Sequence, residues 1–162
     1  MANKKGIVAG ILALMAAFIV EIPIYPDWYL TLNFRILNTE TIEHYFWGHI
    51  IKSNGSVHSA IFAPFPENLV GILVWMMVIF VGLFGLSAST MKSKPGTANK
   101  LYRLNMLMLI VLLFLYTSLA VFIQSFSAFD IVKLLLTLDM GWYVMWTILS
   151  LNIAANKGLK KE

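Results

Sequence analysis

The sequence contains no cysteine. That removes structural disulfides, thiolate metal sites and thiol nucleophiles together. Charge is nearly as scarce. Charged residues make up 12% of the chain, about half the share of a typical soluble domain. Also missing are a phosphate-binding glycine loop, a dinucleotide fingerprint, and any nucleophile and base supported by a third group. The sequence therefore points away from enzymes: it offers no catalytic residue and no cofactor site.

What fills the chain instead is apolar. Of its 162 residues 59% are hydrophobic, and the mean hydropathy is +0.78. These residues come in runs at 6–25, 69–90, 101–126 and 134–155, each long enough for a hydrocarbon core that takes about 20 helical residues. The first run follows Lys4 and Lys5, as in a signal peptide. It is long, however, and no small-residue cleavage site follows before the break at Pro23 and Pro26, so a spanning helix is expected. The expectation is one four-pass domain over residues 1–162: an all-α membrane four-helix bundle with a polar insert, residues 26–68, between its first two helices.

The net charge of +4 is no nucleic-acid signal, because the charges sort by position. Lys4, Lys5, Lys92, Lys94, Lys100, Arg103, Lys157, Lys160 and Lys161 fall at one set of helix ends; seven of the eight acids lie at or near the other set. The positive-inside rule then predicts cytoplasmic N- and C-termini and an outer insert; a plasma-membrane location is the accompanying expectation. The basic loop between the second and third helices sets orientation and could touch anionic headgroups.

Within the first helix, Gly6, Gly10, Ala13 and Ala17 share a face at small-residue spacing, which suits close packing inside the bundle or, alternatively, a dimer face. Ionisable residues that would mark a conduction path are few: Glu21, Lys133 and Asp139 sit near boundaries. Asn105, Gln124 and Asn152 are expected to hydrogen-bond between helices. None of the three histidines falls in a spanning run, which leaves no bis-histidine haem, and no carboxylate–histidine helix motif for a di-iron site is present.

The insert has a different periodicity. In WYLTLNFRIL, residues 28–37, Trp28, Leu30, Leu32, Phe34 and Ile36 share one face, the period-two mark of a half-buried strand. Residues 44–52 and 57–62 read as two further strands around Ser53-Asn54-Gly55-Ser56, where Asn-Gly favours a two-residue hairpin turn. That turn would pair Ile51 with His58. A small antiparallel extracellular sheet is expected, with the aromatics Trp28, Phe46, Trp47 and Phe62 as its candidate interaction surface.

His44, His49 and His58, with Glu40 and Glu43, are the residues with metal-ligand chemistry. His49 and His58 would lie diagonally on one face, within reach of a shared ion, although the spacing matches no named zinc or copper motif. Asn54-Gly55-Ser56 is also a glycosylation sequon, though the turn accounts for the same residues.

Several local patterns resemble the claudins and their relatives of the peripheral myelin protein type. They are Pro26-Asp27-Trp28 after the first helix, the hairpin HIIKSNGSVHSAIFAPFPENL, and Gly141-Trp142-Tyr143-Val144-Met145-Trp146 in the fourth helix. That family carries Gly-Leu-Trp and two disulfide-bonded cysteines in this segment. Here the stretch reads His44-Tyr45-Phe46-Trp47-Gly48-His49, and the cysteine positions fall on His49 and Ser59, so the sheet must rely on aromatic packing or a partner. The resemblance implies a non-enzymatic tetraspan in the lipid bilayer that forms homo-oligomers and makes lateral or cell–cell adhesive contacts through its sheet. It also implies that Glu40 and Glu43, in a stretch from Glu21 to Asn68 with five acids and two bases, would favour cations in any gap between subunits. Two other readings stay open. One is an accessory subunit of a larger membrane complex, such as a respiratory or copper-dependent oxidase. The other is an extracellular metal-binding enzyme module built on His49 and His58.

Overall fold

The computed structural model describes residues 3–19, 21–23, 31–38, 42–46, 48–53, 56–60, 67–91, 93–125 and 130–159, with the strands between 48 and 60 described by their backbone. Among these residues are five helices, α1 (Lys4–Phe18), α2 (Glu67–Thr90), α3 (Pro95–Ser125), α4 (Ile131–Thr137) and α5 (Met140–Leu159). Six short strands join them: β1 (Glu21–Pro23), β2 (Thr31–Asn33), β3 (Arg35–Asn38), β4 (Ile42–Tyr45), β5 (Gly48–Ser53) and β6 (Ser56–Ala60).

Helix α1 packs against α2 and α5, and α3 packs against the same two. The small-residue stripe of α1 explains the first contact. Gly6, Ala9, Gly10, Ala13, Ala16 and Ala17 are all buried. A Cβ on Gly10 would come within 2.9 Å of the Gly82 carbonyl, so the two backbones touch where a larger residue would hold them apart. The stripe is spent inside the fold, on α2.

Polar bonds tie the helices at two levels. At one, Asn3 N–H donates to the Ser89 carbonyl at 3.2 Å. Its Nδ2 donates to the Ala155 carbonyl at 2.9 Å, and the Ser89 and Tyr102 hydroxyls are 2.8 Å apart. At the other, Trp75 Nε1 donates to the Ala17 carbonyl at 2.8 Å, Tyr116 meets Phe46 edge-on and Gly141 abuts β3. Asn3 to Ala17, Trp75 to Ser89, Tyr102 to Tyr116 and Gly141 to Ala155 are each fourteen residues apart, about 21 Å of helix at its rise of about 1.5 Å per residue. The four helices thus cross one common layer. Its charged residues, Lys4, Lys5 and Arg103, lie at one edge of it. Inside the layer Asn105, fully buried, donates to the Val81 carbonyl at 2.9 Å and to Asn152 Oδ1 at 3.2 Å. Those are the interhelical bonds expected of this pair; the Gln124 side chain lies outside the described residues.

Two stretches, Gly71–Thr90 and Pro95–Phe122, are long and apolar enough to cross a membrane. Only 33% and 28% of their most apolar windows are buried inside the fold, so side chains such as Leu73, Phe80, Leu107, Ile110 and Phe114 face outward.

The boundaries differ from the sequence pattern in four places. Helix α1 stops at Phe18, well short of 25, because Ile19 turns extended and β1 pairs with β2 at Ile22↔Leu32 and Pro23↔Thr31. Helix α3 starts at Pro95 rather than 101, since proline lacks only an amide that the first turn leaves unbonded anyway. The expected 134–155 run is broken: α4 ends at Thr137, and Leu138 bridges to Leu37 of β3 before α5 begins. The single strand expected over 28–37 is split at Phe34, with β2 in a two-stranded sheet and β3 in a four-stranded one.

The four-stranded sheet runs β3-β4-β5-β6, antiparallel throughout. Its last hairpin has the expected register, Ile51↔His58 and Ser53↔Ser56; Asn54 and Gly55 themselves lie outside the described residues. The β3–β4 register shifts between Arg35 and Leu37. That irregularity buries Ile36 and Leu37 together and breaks the alternation.

Candidate functional site

Where the sheet meets the helices, three charged side chains converge. Arg35 comes from β3, Glu43 from β4 and Asp139 from the break between α4 and α5. Arg35 Nη1 donates to Glu43 Oε1 at 2.7 Å, and Tyr45 donates its hydroxyl to Glu43 Oε2 at 3.3 Å. Arg35 Nε lies 3.0 Å from Asp139 Oδ2. That second contact is an ion pair whose alignment falls short of a hydrogen bond. Glu43 is only 5% exposed. Burial pulls the Arg35 pKa down, but the Glu43 hydrogen bond and the attraction of Asp139 and Glu43 outweigh it, so the pKa rises and the guanidinium stays charged.

Backbone contacts reinforce the junction. Asp139 N–H donates to the Ile36 carbonyl at 3.1 Å. Asp139 Oδ1 accepts from Met140 N–H at 2.6 Å, satisfying one of the amides that a helix leaves free at its start. Gly141 is required here: a Cβ would come 2.6 Å from the carbonyl oxygens of Phe34 and Arg35. Trp142 Nε1 donates to Thr117 Oγ1 at 3.1 Å, fastening α5 to α3 at the same level. One guanidinium held between two carboxylates ties β3 and β4 to the start of α5. Its chemistry is that of a clamp.

The structure relocates two residues expected to act at the surface. Glu43, a candidate for cation selectivity, is buried with both carboxylate oxygens engaged, so it faces no gap. Phe46, assigned to the interaction surface, is 1% exposed, with its ring 6.2 Å from Tyr116. It is an anchor between sheet and α3. Trp28, Glu40, Trp47, Asn54 and Phe62 lie outside the described residues. His44 sits half-buried on β4 opposite His49, and His58 pairs with Ile51; the side chains of His49 and His58 are outside the described set. Among the described residues no group of three His, Asp or Glu side chains is gathered to hold a metal.

Arg35, Asp139, Tyr45 and Gly141 form the junction, and the sequence pattern assigned none of them a role there. A signal was available. Arg35 is one of two arginines in the chain and stands among acids, and Asp139 interrupts an apolar run. A charge in such a setting needs a partner.

No protein-family model, no curated protein and no solved structure matches this chain. The likeness to claudins therefore rests on the short residue patterns alone.

Proposed function

We propose that the chain is a non-enzymatic, claudin-like tetraspan: α1, α2, α3 and the α4–α5 unit cross the membrane with both termini cytoplasmic, and the sheet is a rigid outer platform for lateral or cell–cell contacts between copies of the protein. The observation that carries this reading is the division of the chain into a charge-poor helical layer and a sheet clamped across one end of it. In water the outward Leu, Ile and Phe side chains of α2 and α3 would each forgo roughly 1.5–3 kcal/mol of burial; in lipid they forgo nothing. Helix α1 alone, at about 22 Å, is shorter than a hydrocarbon core of about 30 Å, but its bonds at both ends to α2 make it part of the same layer. The Arg35 clamp supports the platform role, because a surface that must present one shape to a partner gains from being fixed to the helices beneath.

The test is extraction from the native membrane in a mild detergent, followed by native mass spectrometry. Homo-oligomers of this chain alone are expected. A fixed complement of larger, unrelated subunits would sink the reading and make the chain an accessory subunit instead.

A further inference from the structure

Helix α3 carries its charge at one end only. Lys94, whose carbonyl accepts from the Thr97 and Ala98 amides at 3.1 Å, precedes the helix, and Lys100 and Arg103 follow near its start. All three side chains are exposed, and from Leu104 to Ser125 the helix has no charged residue. Lys4 and Lys5 of α1 and Lys157 of α5 are exposed at the same end, which the Asn3–Ser89, Asn3–Ala155 and Ser89–Tyr102 bonds hold together. The described acids, Glu21, Glu43, Glu67, Asp130 and Asp139, lie toward the opposite end, and among the described residues none of these cations pairs with a carboxylate. The cations of α3 also stand over an apolar strip. Lys100, Leu104, Leu107, Val111 and Phe114 recur at intervals of three and four, so they share one helix face. Arg103 lies one turn from Leu107 on the flank of that face. The four apolar side chains are all exposed, Leu107 by 60% and Phe114 by 70%, so the strip turns away from the bundle. Arg103 and Phe114 are eleven residues apart, about 16 Å of helix at about 1.5 Å per residue. One leaflet of a hydrocarbon core about 30 Å thick spans about 15 Å.

We propose that the outward face of α3 binds an anionic phospholipid, its phosphate on Lys94, Lys100 and Arg103 and its acyl chains along Leu104, Leu107, Val111 and Phe114. The inference deepens the membrane reading given above and rests on it. Arginine meets a phosphate with two parallel N–H bonds, lysine adds a point charge, and the amino-terminal end of a helix is itself partly positive. A zwitterionic lipid brings its own cation, which these residues repel; a lipid of net negative charge does not. An acidic soluble partner would meet the cations but leave the apolar strip below them uncovered. Helix α2 supplies the contrast. Leu73, Phe80 and Leu83 face outward there, but Glu67–Thr90 contains no cation, so acyl chains find a surface and the helix gives a phosphate no charge.

The experiment uses the full chain in nonionic detergent micelles. Fluorescent phosphatidic acid, and fluorescent phosphatidylcholine with the same chains, are each titrated with the protein and followed by anisotropy. Phosphatidic acid is expected to bind at least about fivefold more tightly, the effect of a single cation near an anionic headgroup. Raising the ionic strength from about 0.1 to about 1 M shortens the screening length from about 10 to about 3 Å and should remove most of that preference. Lys100→Gln combined with Arg103→Gln should do the same at low salt. Lys133→Gln, which removes an exposed cation at the far end of the bundle, should not. Soluble glycerol 3-phosphate should compete far less well than unlabelled phosphatidic acid, since it has no chains to lie on the strip. Equal affinity for the two lipids, or a preference that the double variant keeps or that Lys133→Gln lowers as much, overturns the proposal and leaves the membrane reading standing. Equal competition by glycerol 3-phosphate makes the ligand a free phosphate and overturns it too. If neither lipid binds, the helical layer takes up no lipid, and the membrane reading falls with the proposal.

Discussion

Arg35 Nε in β3 lies 3.0 Å from Asp139 Oδ2 in the break between α4 and α5. Because the same guanidinium also holds Glu43, one cation stands between two carboxylates and ties a strand, its neighbour and a helix start together. Replacing Arg35→Met should leave those carboxylates facing each other without compensation. The expected loss is about 3 kcal/mol, the low end for a broken buried pair because the arginine side chain is 21% exposed. It would be read as a lowered melting temperature in detergent. Arg35→Lys should recover only part of it, since an ammonium lacks the fork that reaches both partners. An unchanged melting temperature for Arg35→Met would refute the clamp.

Gly141→Ala is expected to be worse than a surface glycine replacement. The added methyl would sit 2.6 Å from two β3 carbonyl oxygens, and backbone cannot swing aside as a side chain can. A cost of about 1–3 kcal/mol, typical of overpacking, is predicted. Gly71, whose Cβ would meet nothing within 4 Å, supplies the control. Gly71→Ala should be neutral or slightly stabilising, since alanine is the better helix former. Equal effects at the two positions would remove the close approach from the account.

The bridge between Leu37 and Leu138 can be trapped. The chain has no cysteine, so Leu37→Cys with Leu138→Cys introduces the sole pair. Directly paired antiparallel residues lie about 4.5–5.5 Å apart at Cα, within the range a disulfide spans. Near-complete crosslinking under mild oxidation is expected, seen as a mobility shift without reductant. Adding Gly141→Ala should slow it, because that substitution pushes β3 off α5. Failure of the pair to crosslink in the otherwise unaltered chain would mean that the sheet does not dock there.

Some of this was legible in the sequence and some was not, for separable reasons. The β5–β6 register could be read because Ser53-Asn54-Gly55-Ser56 fixes it locally. The small-residue face of α1 was equally plain, since Gly6, Gly10, Ala13 and Ala17 recur with the helical period. The end of α1 was hidden: Ile19, Val20, Ile22 and Ile24 continue the apolar run, and a short β-branched stretch reads alike as helix or strand. The split at Phe34 was hidden too, because residues 28–37 alternate smoothly, while the irregularity at Arg35 and Leu37 coincides with contacts to Leu138 and Asp139 far along the chain. The broken fourth helix has the same origin. Glu43 was misplaced for a related reason. Composition shows that the insert is acidic, but only the fold shows which acid has an arginine.

The Asn105–Asn152 bond makes a prediction whose sign depends on counting donors. Asn105 Nδ2 donates to Asn152 Oδ1 and to the Val81 carbonyl, while Asn152 Nδ2 donates to the Ile148 carbonyl. Both residues are fully buried. Asn105→Leu strips Asn152 Oδ1 of its donor, and Asn152→Leu strips Asn105 of an acceptor; each leaves polar atoms facing an apolar interior. Leucine at both positions removes the mismatch, so the double variant should be less unstable than the two single losses added. A coupling of about 0.6–1.7 kcal/mol is expected if the bond forms within a membrane layer. It would be measured by a double-mutant cycle on unfolding in mixed micelles. Strictly additive losses would show that the two amides do not share a bond, and α3 would then be tied to α5 at Trp142–Thr117 rather than through the middle of the layer.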